Sequence, residues 1–338
     1  MTNLPHNSTY YLDKLRQLHI KMRDHLRKQM VTQDQTTLSA ATAARDGDTI
    51  YRIDEFSEEL LLEYCREWAK ETPFVLIAEG ISGDGWLSLP DGASAQDATF
   101  LLIVDPIDGT RPLMYDKRSA WLLTGIAPNL GRKTTLADIT IAMQTELPIT
   151  RQNLAYHLWA VKGQGAQAEL HDLVLDQVNP ASLHPSRAQT LEHGFASLVK
   201  FFPAGKRELV EIECRLFEAL VGDLNIGNPV IFDDEYTSTG GQLFELMVGH
   251  DRFIADLRPL LYKRYQSHQK PLCAHPYDIG TELIAREAGV IITDEKGNPL
   301  SSLLDIQENV AWIGYANQAL RDKIEPILLS ILESSDLL

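Results

Sequence analysis

Residues 100–110 read FLLIVDPIDGT, in which a short apolar run ends at two aspartates, Asp105 and Asp108. The apolar run predicts a buried strand. Residues three apart on a straight strand point to opposite faces, so the two carboxylates converge only if the chain turns, and Pro106 and Gly109 suit a turn. Carboxylates this close repel each other, and a hard divalent cation between them keeps both ionised. The segment therefore predicts a Mg²⁺ site, with an Asx-type turn that binds backbone donors as the alternative.

The residues that follow Asp108 predict the beginning of a helix. Thr110 stands at the N-cap position, and Pro112 fits the first helical turn. Backbone N–H groups at the start of a helix have no intrahelical acceptor, and they bind phosphate well. The same stretch therefore pairs a predicted cation site with a predicted phosphate site.

Two further acids stand where they could complete the cation site. Glu79 directly follows residues 74–78 (FVLIA), a second apolar run that predicts a strand beside the first. Ligand sites of α/β sheets form at the edge where such strands end. Asp278 lies in the first turn of a helix predicted at residues 277–288, and a favourable interaction with the helix dipole is the alternative explanation for it.

The charge of the chain excludes some classes of partner. Its 338 residues include 31 Lys and Arg against 47 Asp and Glu, which gives a net charge of −16. Such a charge repels nucleic acid and anionic membrane surfaces, so we expect neither as a partner. An acidic protein can still bind an anionic substrate where its acids hold divalent cations, because the cations invert the local sign of the charge.

Cysteine usage and the N-terminus bear on the compartment. Cys65, Cys214 and Cys273 are far apart and form no Cys-x-x-Cys pair, so neither a zinc cluster nor a disulfide framework is predicted. Residues 1–10 are polar and lack the apolar core of a signal peptide, and no apolar run is long enough to span a bilayer. We expect a cytoplasmic protein.

Hydrophobic periodicity predicts two different arrangements of helices and strands. The predicted helices are residues 11–30, 55–70, 206–221, 241–249, 277–288 and a last one from 318. The predicted strands are residues 50–53, 74–78, 100–104, 121–127, 139–143, 158–162, 196–202, 230–232, 252–257 and 290–293. The first half predicts helices packed on a sheet, and the alternation after about residue 195 predicts an α/β unit. We expect an α+β fold, with a domain at 1–190 that carries most metal ligands and a domain at 191–338 that supplies Asp278 and substrate contacts.

Four segments together resemble the Mg²⁺-dependent, lithium-sensitive phosphatases related to inositol monophosphatase and fructose-1,6-bisphosphatase. In order, they are residues 48–54 (DTIYRID), residues 78–79 (AE), residues 105–110 (DPIDGT), and residues 277–278 (YD) with 287–289 (EAG). The resemblance covers about residues 48–294, and DPIDGT is its most specific segment. It implies the layered αβαβα sugar-phosphatase fold.

The resemblance also implies a ligand set for two or three Mg²⁺ ions. Glu79, Asp105 and the carbonyl of Ile107 would hold the first ion. Asp105, Asp108 and Asp278 would hold the second, and a third could bind near Glu79. For catalysis it implies a metal-activated water that attacks phosphorus in line, without a covalent phosphoenzyme.

Catalytic and substrate-binding residues follow from the same resemblance. Asp54, Thr110 and Glu79 would assist the attacking water. The turn at residues 238–242 (STGGQ), with Gly240 and Gly241, is similar to a turn that contacts substrate hydroxyls, although an ordinary N-cap explains it equally well.

The strand that ends at Asp256, together with Arg258, is similar to a substrate-facing strand of archaeal dual-specificity members. A solvated Asp and Arg at the end of a buried strand is the alternative explanation. Gly109, Thr110 and Asp278 complete the predicted substrate contacts.

The chain departs from the family pattern in the parts that choose the substrate. Gly80 stands where the family often has a second glutamate, and Arg111 follows Thr110 in place of the common asparagine. Lys117 and Arg118 could grip a second anionic group of the substrate, or lie solvated in a turn. Residues 258–275 do not align with the acid that recognises inositol.

These observations predict a Mg²⁺-dependent phosphomonoesterase that acts on a small sugar, polyol or inositol phosphate. A nucleotide 3′-phosphatase, and a catalytically weak protein that binds phosphorylated metabolites, are the alternatives. Members of the family commonly form homodimers, so the resemblance implies a homodimer.

Overall fold

The computed structural model describes residues 8–33, 41–45, 48–81, 83–224, 229–263 and 272–338. Within these residues the α-helices are α1 (Ser8–Thr32), α2 (Arg52–Ala69), α3 (Thr110–Met114), α4 (Lys206–Val221), α5 (Thr239–Met247), α6 (Arg258–Tyr262), α7 (Glu282–Glu287) and α8 (Gln318–Ser334). None of these helices is both long enough and apolar enough to cross a bilayer.

The strands form two large sheets and one hairpin. They are β1 (Ala41–Arg45), β2 (Asp48–Tyr51), β3 (Phe74–Ala78), β4 (Trp86–Leu89), β5 (Phe100–Asp108), β6 (Ala120–Pro128), β7 (Ile141–Leu147), β8 (Leu154–Val161), β9 (Ala166–Asp172), β10 (Gln177–Ala181), β11 (Gly194–Leu198), β12 (Ile231–Phe232), β13 (Asp251–Asp256), β14 (Ile291–Thr293) and β15 (Trp312–Tyr315). β1 and β2 pair with each other only, among the described strands.

The larger sheet has the strand order β10-β9-β8-β7-β6-β5-β3-β4. β3 and β5 are parallel neighbours in it. Both are buried along their whole length, which explains why residues 74–78 and 100–104 are continuous apolar runs and do not alternate with polar residues. Because Ala78 pairs with Val104, the next residues, Glu79 and Asp105, stand at the same edge of the sheet, as the sequence predicts.

The smaller sheet has the strand order β12-β11-β13-β15-β14. β11 is parallel to β12 and β13, and β15 is antiparallel to β13 and β14. The change from one sheet to the other falls between Ala181 and Gly194. The division of the chain into two domains near residue 190 stays a prediction.

Five layers are stacked in the order helices, sheet, helices, sheet, helices. α1 and α2 cover one face of the larger sheet, where Leu15, Met22 and Trp68 are buried. α5 and α7 lie between the other face of this sheet and the smaller sheet. α4 and α8 pack on each other and on the smaller sheet. This order confirms the predicted αβαβα fold.

A β-bulge, and not a turn out of the sheet, makes the two aspartates of DPIDGT converge. Asp105 pairs with Leu123 of β6, and Asp108 pairs with Trp121, so three steps on β5 match two steps on β6. The extra residue shifts the alternation of side chains by one, which brings Asp105 and Asp108 to the same face. β5 therefore continues to Asp108 and does not end at Val104 as expected. Gly109 follows with φ +100°, a conformation that favours glycine.

Other boundaries also differ from the predicted ones. The strand expected at 50–53 ends at Tyr51, because Asp54 accepts the Tyr51 N–H over 2.9 Å and α2 begins at Arg52. The helix expected at 277–288 begins at Glu282, after turns at residues 276–280. β1, β4, β9, β10, β15 and α6 were not predicted. β10 is mostly exposed at the sheet edge, so it lacks the apolar pattern that reveals a strand.

Candidate metal centre and active site

Three aspartates from two distant parts of the chain meet at the end of β5. One carboxylate oxygen each of Asp105, Asp108 and Asp278 lies within 4.8 Å of the other two. Asp105 and Asp108 are buried and Asp278 is partly buried. The structure thus brings together three of the predicted metal ligands, and the group stands out as the one cluster of potential ligands in the described part of the chain.

Burial is the main reason why the pKa values of two of these carboxyls are raised in the absence of a cation. Desolvation raises the pKa of Asp105 well above its ordinary value, and the charges of Asp108, Asp278 and Glu79 raise it further. Desolvation and the charge of Asp278 raise the pKa of Asp108 to about 8, against the opposing effect of its hydrogen bonds. A divalent cation would favour the ionised forms, because opposite charge offsets both burial and repulsion.

The beginning of α5 holds Asp108 in place. Ser238 Oγ donates a hydrogen bond to Asp108 Oδ2 over 2.8 Å. The N–H groups of Thr239 and Gly240 donate to Oδ1 and Oδ2 over 3.2 and 2.5 Å. Ser238 Oγ also accepts the Gly241 N–H over 2.9 Å, as an N-cap does. The predicted turn therefore opens a helix and supports a predicted metal ligand, and substrate contact by Gly240 and Gly241 stays a prediction.

A chain of hydrogen bonds joins Asp105 to Thr110 and Asp54. The N–H of Ile107 donates to Asp105 Oδ1 over 3.0 Å. Thr110 Oγ1 lies 3.0 Å from the Ile107 carbonyl oxygen and 3.0 Å from Asp54 Oδ1. A hydroxyl has one proton, so Thr110 donates to one of these acceptors at a time. A cation on the Ile107 carbonyl would therefore commit the hydroxyl proton to Asp54.

Asp278 is fixed by the residue three positions before it. The N–H of His275 donates to Asp278 Oδ2 over 2.6 Å, and His275 Nδ1 lies 3.4 Å from the same oxygen. The His275 ring stacks on Tyr277 with 5.2 Å between centroids. Because Asp278 lies in a turn ahead of α7, hydrogen bonds and not a helix dipole explain its position.

Glu79 lies at the rim of the site. Its side chain is exposed, and it is not one of the three carboxylates within 4.8 Å of one another. Its charge nevertheless raises the pKa of Asp105, which shows that the two acids are close. The carboxylate of Glu58, on α2, lies against Gly80, the residue after Glu79. Glu58 was not predicted from the sequence, because a glutamate on a helix looks like any solvated residue.

Asp256 and Arg258 form a buried ion pair. Arg258 Nε and Nη2 donate to the two carboxylate oxygens of Asp256 over 2.8 and 2.5 Å, and the guanidinium stacks 4.5 Å from the ring centroid of Phe201. The residues are 0% and 3% exposed, so the alternative of a solvated Asp and Arg is wrong. They lie near the site, because the charges of both Asp256 and Asp278 raise the pKa of Cys273. Their contact with substrate stays a prediction.

The two arginines after Thr110, Arg111 and Arg118, make different contacts. Arg118 donates to Asp234 over 2.9 Å and to Glu245 over 2.8 Å, and it lies 3.7 Å from the ring centroid of Tyr236. Arg118 is therefore held by ion pairs within the protein, with 30% of its side chain exposed. The guanidinium of Arg111 lies 5.8 Å from the ring centroid of Tyr51, beside the strand end that leads to Asp54.

The donors at this site fit Mg²⁺. They are carboxylate and carbonyl oxygens, the hard ligands that this ion prefers. A cation would stabilise the ionised forms of Asp105 and Asp108 most, because the ionisation of these buried carboxyls is unfavourable without one. Glu79, Asp105 and the Ile107 carbonyl could hold one ion, and Asp105, Asp108 and Asp278 a second.

Comparison with solved structures shows which fold this is. The chain is similar to the holo form of Leishmania major fructose-1,6-bisphosphatase, with a TM-score of 0.68, 14% identity, and coverage of 97% of this chain and 95% of the other. It is similar to the extragenic suppressor protein suhB of Bartonella henselae, with a TM-score of 0.63, 17% identity, and coverage of 94% and 98%. It is also similar to the IMPase of Thermotoga maritima, with a TM-score of 0.58, 16% identity, and coverage of 96% and 98%.

Neither a protein-family model nor a curated protein sequence matches the chain. The structural similarity covers nearly the whole length of each chain, so it confirms the fold that the DPIDGT resemblance implied. At such low identity the likeness concerns the fold, and the chemistry has to be argued from the residues of this chain.

Proposed function

We propose that this chain, which has the fold of the inositol monophosphatase and fructose-1,6-bisphosphatase structures, is a Mg²⁺-dependent phosphomonoesterase. The observation that carries the proposal is the meeting of Asp105, Asp108 and Asp278 beside a Thr110 hydroxyl that lies 3.0 Å from Asp54. Its substrate would be a small sugar, polyol or inositol phosphate. When bound, Mg²⁺ would supply the Lewis acidity that makes water a nucleophile near neutral pH and stabilises the charge on the leaving oxygen.

The roles of the chain's own residues follow from their donors and acceptors. With a cation on the Ile107 carbonyl, Thr110 would donate its proton to Asp54, and the lone pairs of Thr110 Oγ1 would be left to accept a hydrogen bond from the attacking water. Asp54 Oδ1 is the atom to which a proton can then move. Asp54 Oδ2 is held by the Tyr51 N–H over 2.9 Å, which fixes the carboxylate for this task. Glu79, at the rim, would help to orient the same water.

Substrate contacts would come from both halves of the chain. Gly109 and Thr110 lie at the start of α3, where backbone N–H groups lack intrahelical acceptors and can donate to phosphate oxygens. Asp278 lies beside Asp108, and the Gly241 N–H binds Ser238, which supports Asp108. We propose that Asp278 and Gly241 border the substrate hydroxyls. The N–H of Gly240 is engaged by Asp108, so Gly240 would act mainly through that ligand. Asp256 and Arg258 would shape the site as a pair.

Phosphate release tests the proposal directly. The purified protein is incubated with sugar phosphates, inositol phosphates, fructose bisphosphate and adenosine 3′,5′-bisphosphate, in Mg²⁺ or in EDTA. We expect Mg²⁺-dependent release from a sugar or inositol ester, and a preference for the adenosine ester would point to the nucleotide phosphatase instead. Asp108→Ala should lose turnover by orders of magnitude, while Asp322→Asn, an exposed carboxylate on α8, should not. Turnover that survives in Asp108→Ala would refute the proposed site.

The resemblance adds two expectations that the same preparations test. Li⁺ should inhibit the Mg²⁺-driven activity, and sedimentation should reveal a homodimer if the chain follows the family habit. The partner would be a small phosphorylated metabolite, in the cytoplasm. If no ester of the panel releases phosphate with or without Mg²⁺, and the protein nevertheless binds a phosphorylated metabolite, the catalytically weak alternative would be supported.

A further inference from the structure

A buried glutamine connects the two segments that carry and support the ligands of the second cation. Gln144, on β7, is 0% exposed. Its Nε2 donates a hydrogen bond to the carbonyl oxygen of Gly240 over 2.8 Å, and its Oε1 accepts one from Thr281 Oγ1 over 2.9 Å. A carbonyl only accepts, so the Gly240 contact requires the nitrogen of the amide and fixes the orientation of the side chain.

Gln144 lies on the metal-binding face of the larger sheet. Asp105 of β5 pairs with Leu123 of β6, and Leu123 pairs with Gln144 of β7. Directly paired residues project to the same face, so Gln144 stands in one row with Asp105, two strands and roughly 10 Å away. The Gln144 amide therefore contacts the helical layer at a position directly beside the aspartate cluster.

Each hydrogen bond of the amide leads to one ligand of the proposed second cation. Both backbone polar groups of Gly240 are hydrogen-bonded. Its carbonyl accepts a hydrogen bond from Gln144, and its N–H donates to Asp108 Oδ2 over 2.5 Å. Thr281 lies three residues after Asp278, in the same turn-containing segment. One side chain thus bridges the turn that holds Asp108 and the segment that carries Asp278.

Two glycines allow these segments to approach the sheet closely. A Cβ on Gly240 would lie 2.6 Å from Leu123 Cδ2, and a Cβ on Gly125 would lie 2.9 Å from the carbonyl oxygen of Gly280. Both segments are therefore seated directly on β6, next to the strand that carries Gln144. In such contact a buried amide with a hydrogen bond at each end favours one arrangement, because a shift leaves a buried donor or acceptor without its partner.

We infer that Gln144 is a positioning residue that sets the distance between Asp108 and Asp278, and so determines affinity at the second cation site. The inference rests on the proposed function for its relevance, but cation binding can be measured without turnover. Gln144 touches neither metal nor substrate in this role. A purely structural role would instead lower stability and leave the cation sites unchanged in the folded protein.

Mn²⁺ binding, followed by electron paramagnetic resonance and calorimetry, tests this on folded protein. Gln144→Leu keeps the bulk of the side chain and removes the amide. We expect it to weaken one class of Mn²⁺ site by roughly 10-fold, the low end of the effect of removing a direct partner of a metal ligand, because Gln144 acts through Gly240 and Thr281, and to leave the other class nearly unchanged. Thr281→Val should weaken the same class, and Thr281→Ser, which retains the hydroxyl, should bind as the unaltered protein does. Gln167→Leu, at an exposed position of β9, is the matched control.

The outcomes separate this inference from the proposed function. Unchanged Mn²⁺ binding in both folded Gln144→Leu and Thr281→Val would overturn it. If Gln144→Leu fails to fold, the Thr281→Val and Thr281→Ser pair decides alone, since it changes only one end of the bridge. Selective weakening in a protein that hydrolyses no ester would support the positioning role while the proposed function fails.

Discussion

The carboxylate of Glu58 occupies the space into which a side chain at position 80 would project. A Cβ on Gly80 would lie 2.0 Å from Glu58 Oε1, so the two cannot coexist. Gly80 also has φ +86°, in the region that favours glycine. Glu58 follows Asp54 by one helical turn on α2, so both acids face the end of β3 and β5. An acid from the helix thus lies beside Glu79, where position 80 itself carries none.

Gly80→Ala should therefore displace Glu58 and weaken cation binding beside Glu79. We expect lower Mn²⁺ affinity, and a loss of stability of about 1–3 kcal/mol from backbone strain alone. Gly83→Ala is the matched control, because Gly83 has φ +80° but nothing lies within 4 Å of its added Cβ. Denaturation and Mn²⁺ titration of both variants separate strain from displacement. Equal Mn²⁺ affinity in the two variants would show that Glu58 has no part in the site.

The raised pKa values of Asp105 and Asp108 predict how the cation-free protein responds to pH. Both pKa values are higher in the folded chain than in the unfolded one, so folding favours the protonated forms. In EDTA their contribution to stability should be complete below about pH 4 and decline as the pH rises, by at most about 1.4 kcal/mol per pH unit for each carboxyl, until the pH passes the raised pKa, which is about 8 for Asp108. Mg²⁺ should reverse this trend, because it binds the ionised forms.

Thermal unfolding from pH 6 to 9, with Mg²⁺ and with EDTA, checks this directly. The rise in Tm caused by Mg²⁺ should grow with pH. Asp105→Asn should flatten the EDTA curve and abolish most of the Mg²⁺ effect. A Mg²⁺ effect that is constant over this range would mean that the two aspartates are already ionised in the cation-free protein.

The strands that carry the acids could be predicted from the sequence, because a strand buried on both faces is a continuous run of apolar residues. β3 was predicted with its observed bounds and β5 with its observed beginning. The bulge between Asp105 and Asp108 could not be predicted, since it depends on pairing with β6, a strand whose register the local sequence does not specify. The sequence therefore indicated which acids meet, but gave the wrong reason for their convergence.

Residues that act through other residues left no signal in the sequence. Gln144 is the first of three consecutive polar residues on β7, and its two partners are 96 and 137 positions away along the chain. Glu58 looks like one of many acids on an amphipathic helix. Ser238 was different, since a serine before a helix is a recognisable N-cap, although its bond to Asp108 was not foreseeable.

Thr110 offers a test of the proposed proton transfer. Thr110→Val removes the hydroxyl that contacts Asp54 and the Ile107 carbonyl while it preserves the shape of the side chain. We expect kcat to fall by about 10²- to 10⁴-fold, the usual contribution of acid–base assistance, with little change in KM. Thr110→Ser keeps the hydroxyl and should retain most activity. Steady-state kinetics of both variants decide the matter, and an active Thr110→Val would exclude the hydroxyl from the mechanism.

Three buried histidines between α1 and the larger sheet predict sensitivity to acid. Thr124 donates to the Met143 carbonyl, so its oxygen accepts the Nε2 proton of His19. His19 Nδ1 then accepts from Thr145, and Thr145 accepts the Nδ1 proton of His157. This order leaves His157 Nε2 with a bare lone pair, and that buried atom has no hydrogen-bond partner among the described residues.

Burial keeps these rings neutral. Desolvation, with Arg16 nearby, lowers the pKa of His19 to about 3, and desolvation also lowers the pKa of His157 and of His171. A pKa below the unfolded value means that the unfolded chain binds more protons, so stability is complete above about pH 6.5 and declines as the pH falls. The carboxyls discussed above act in the opposite direction, so the variant is compared with the unaltered protein at each pH in saturating Mg²⁺.

His157→Asn retains a donor for Thr145 and removes the group that titrates. We expect its unfolding free energy to fall less steeply between pH 6 and 4, by up to about 1.4 kcal/mol per pH unit, because one fewer proton is taken up on unfolding. His184→Asn, at an exposed position, should follow the unaltered protein. Urea denaturation at each pH gives the slopes. Nitrogen-15 NMR should show the Nδ1–H tautomer of His157, and equal slopes for the two variants would mean that His157 is already protonated in the folded chain.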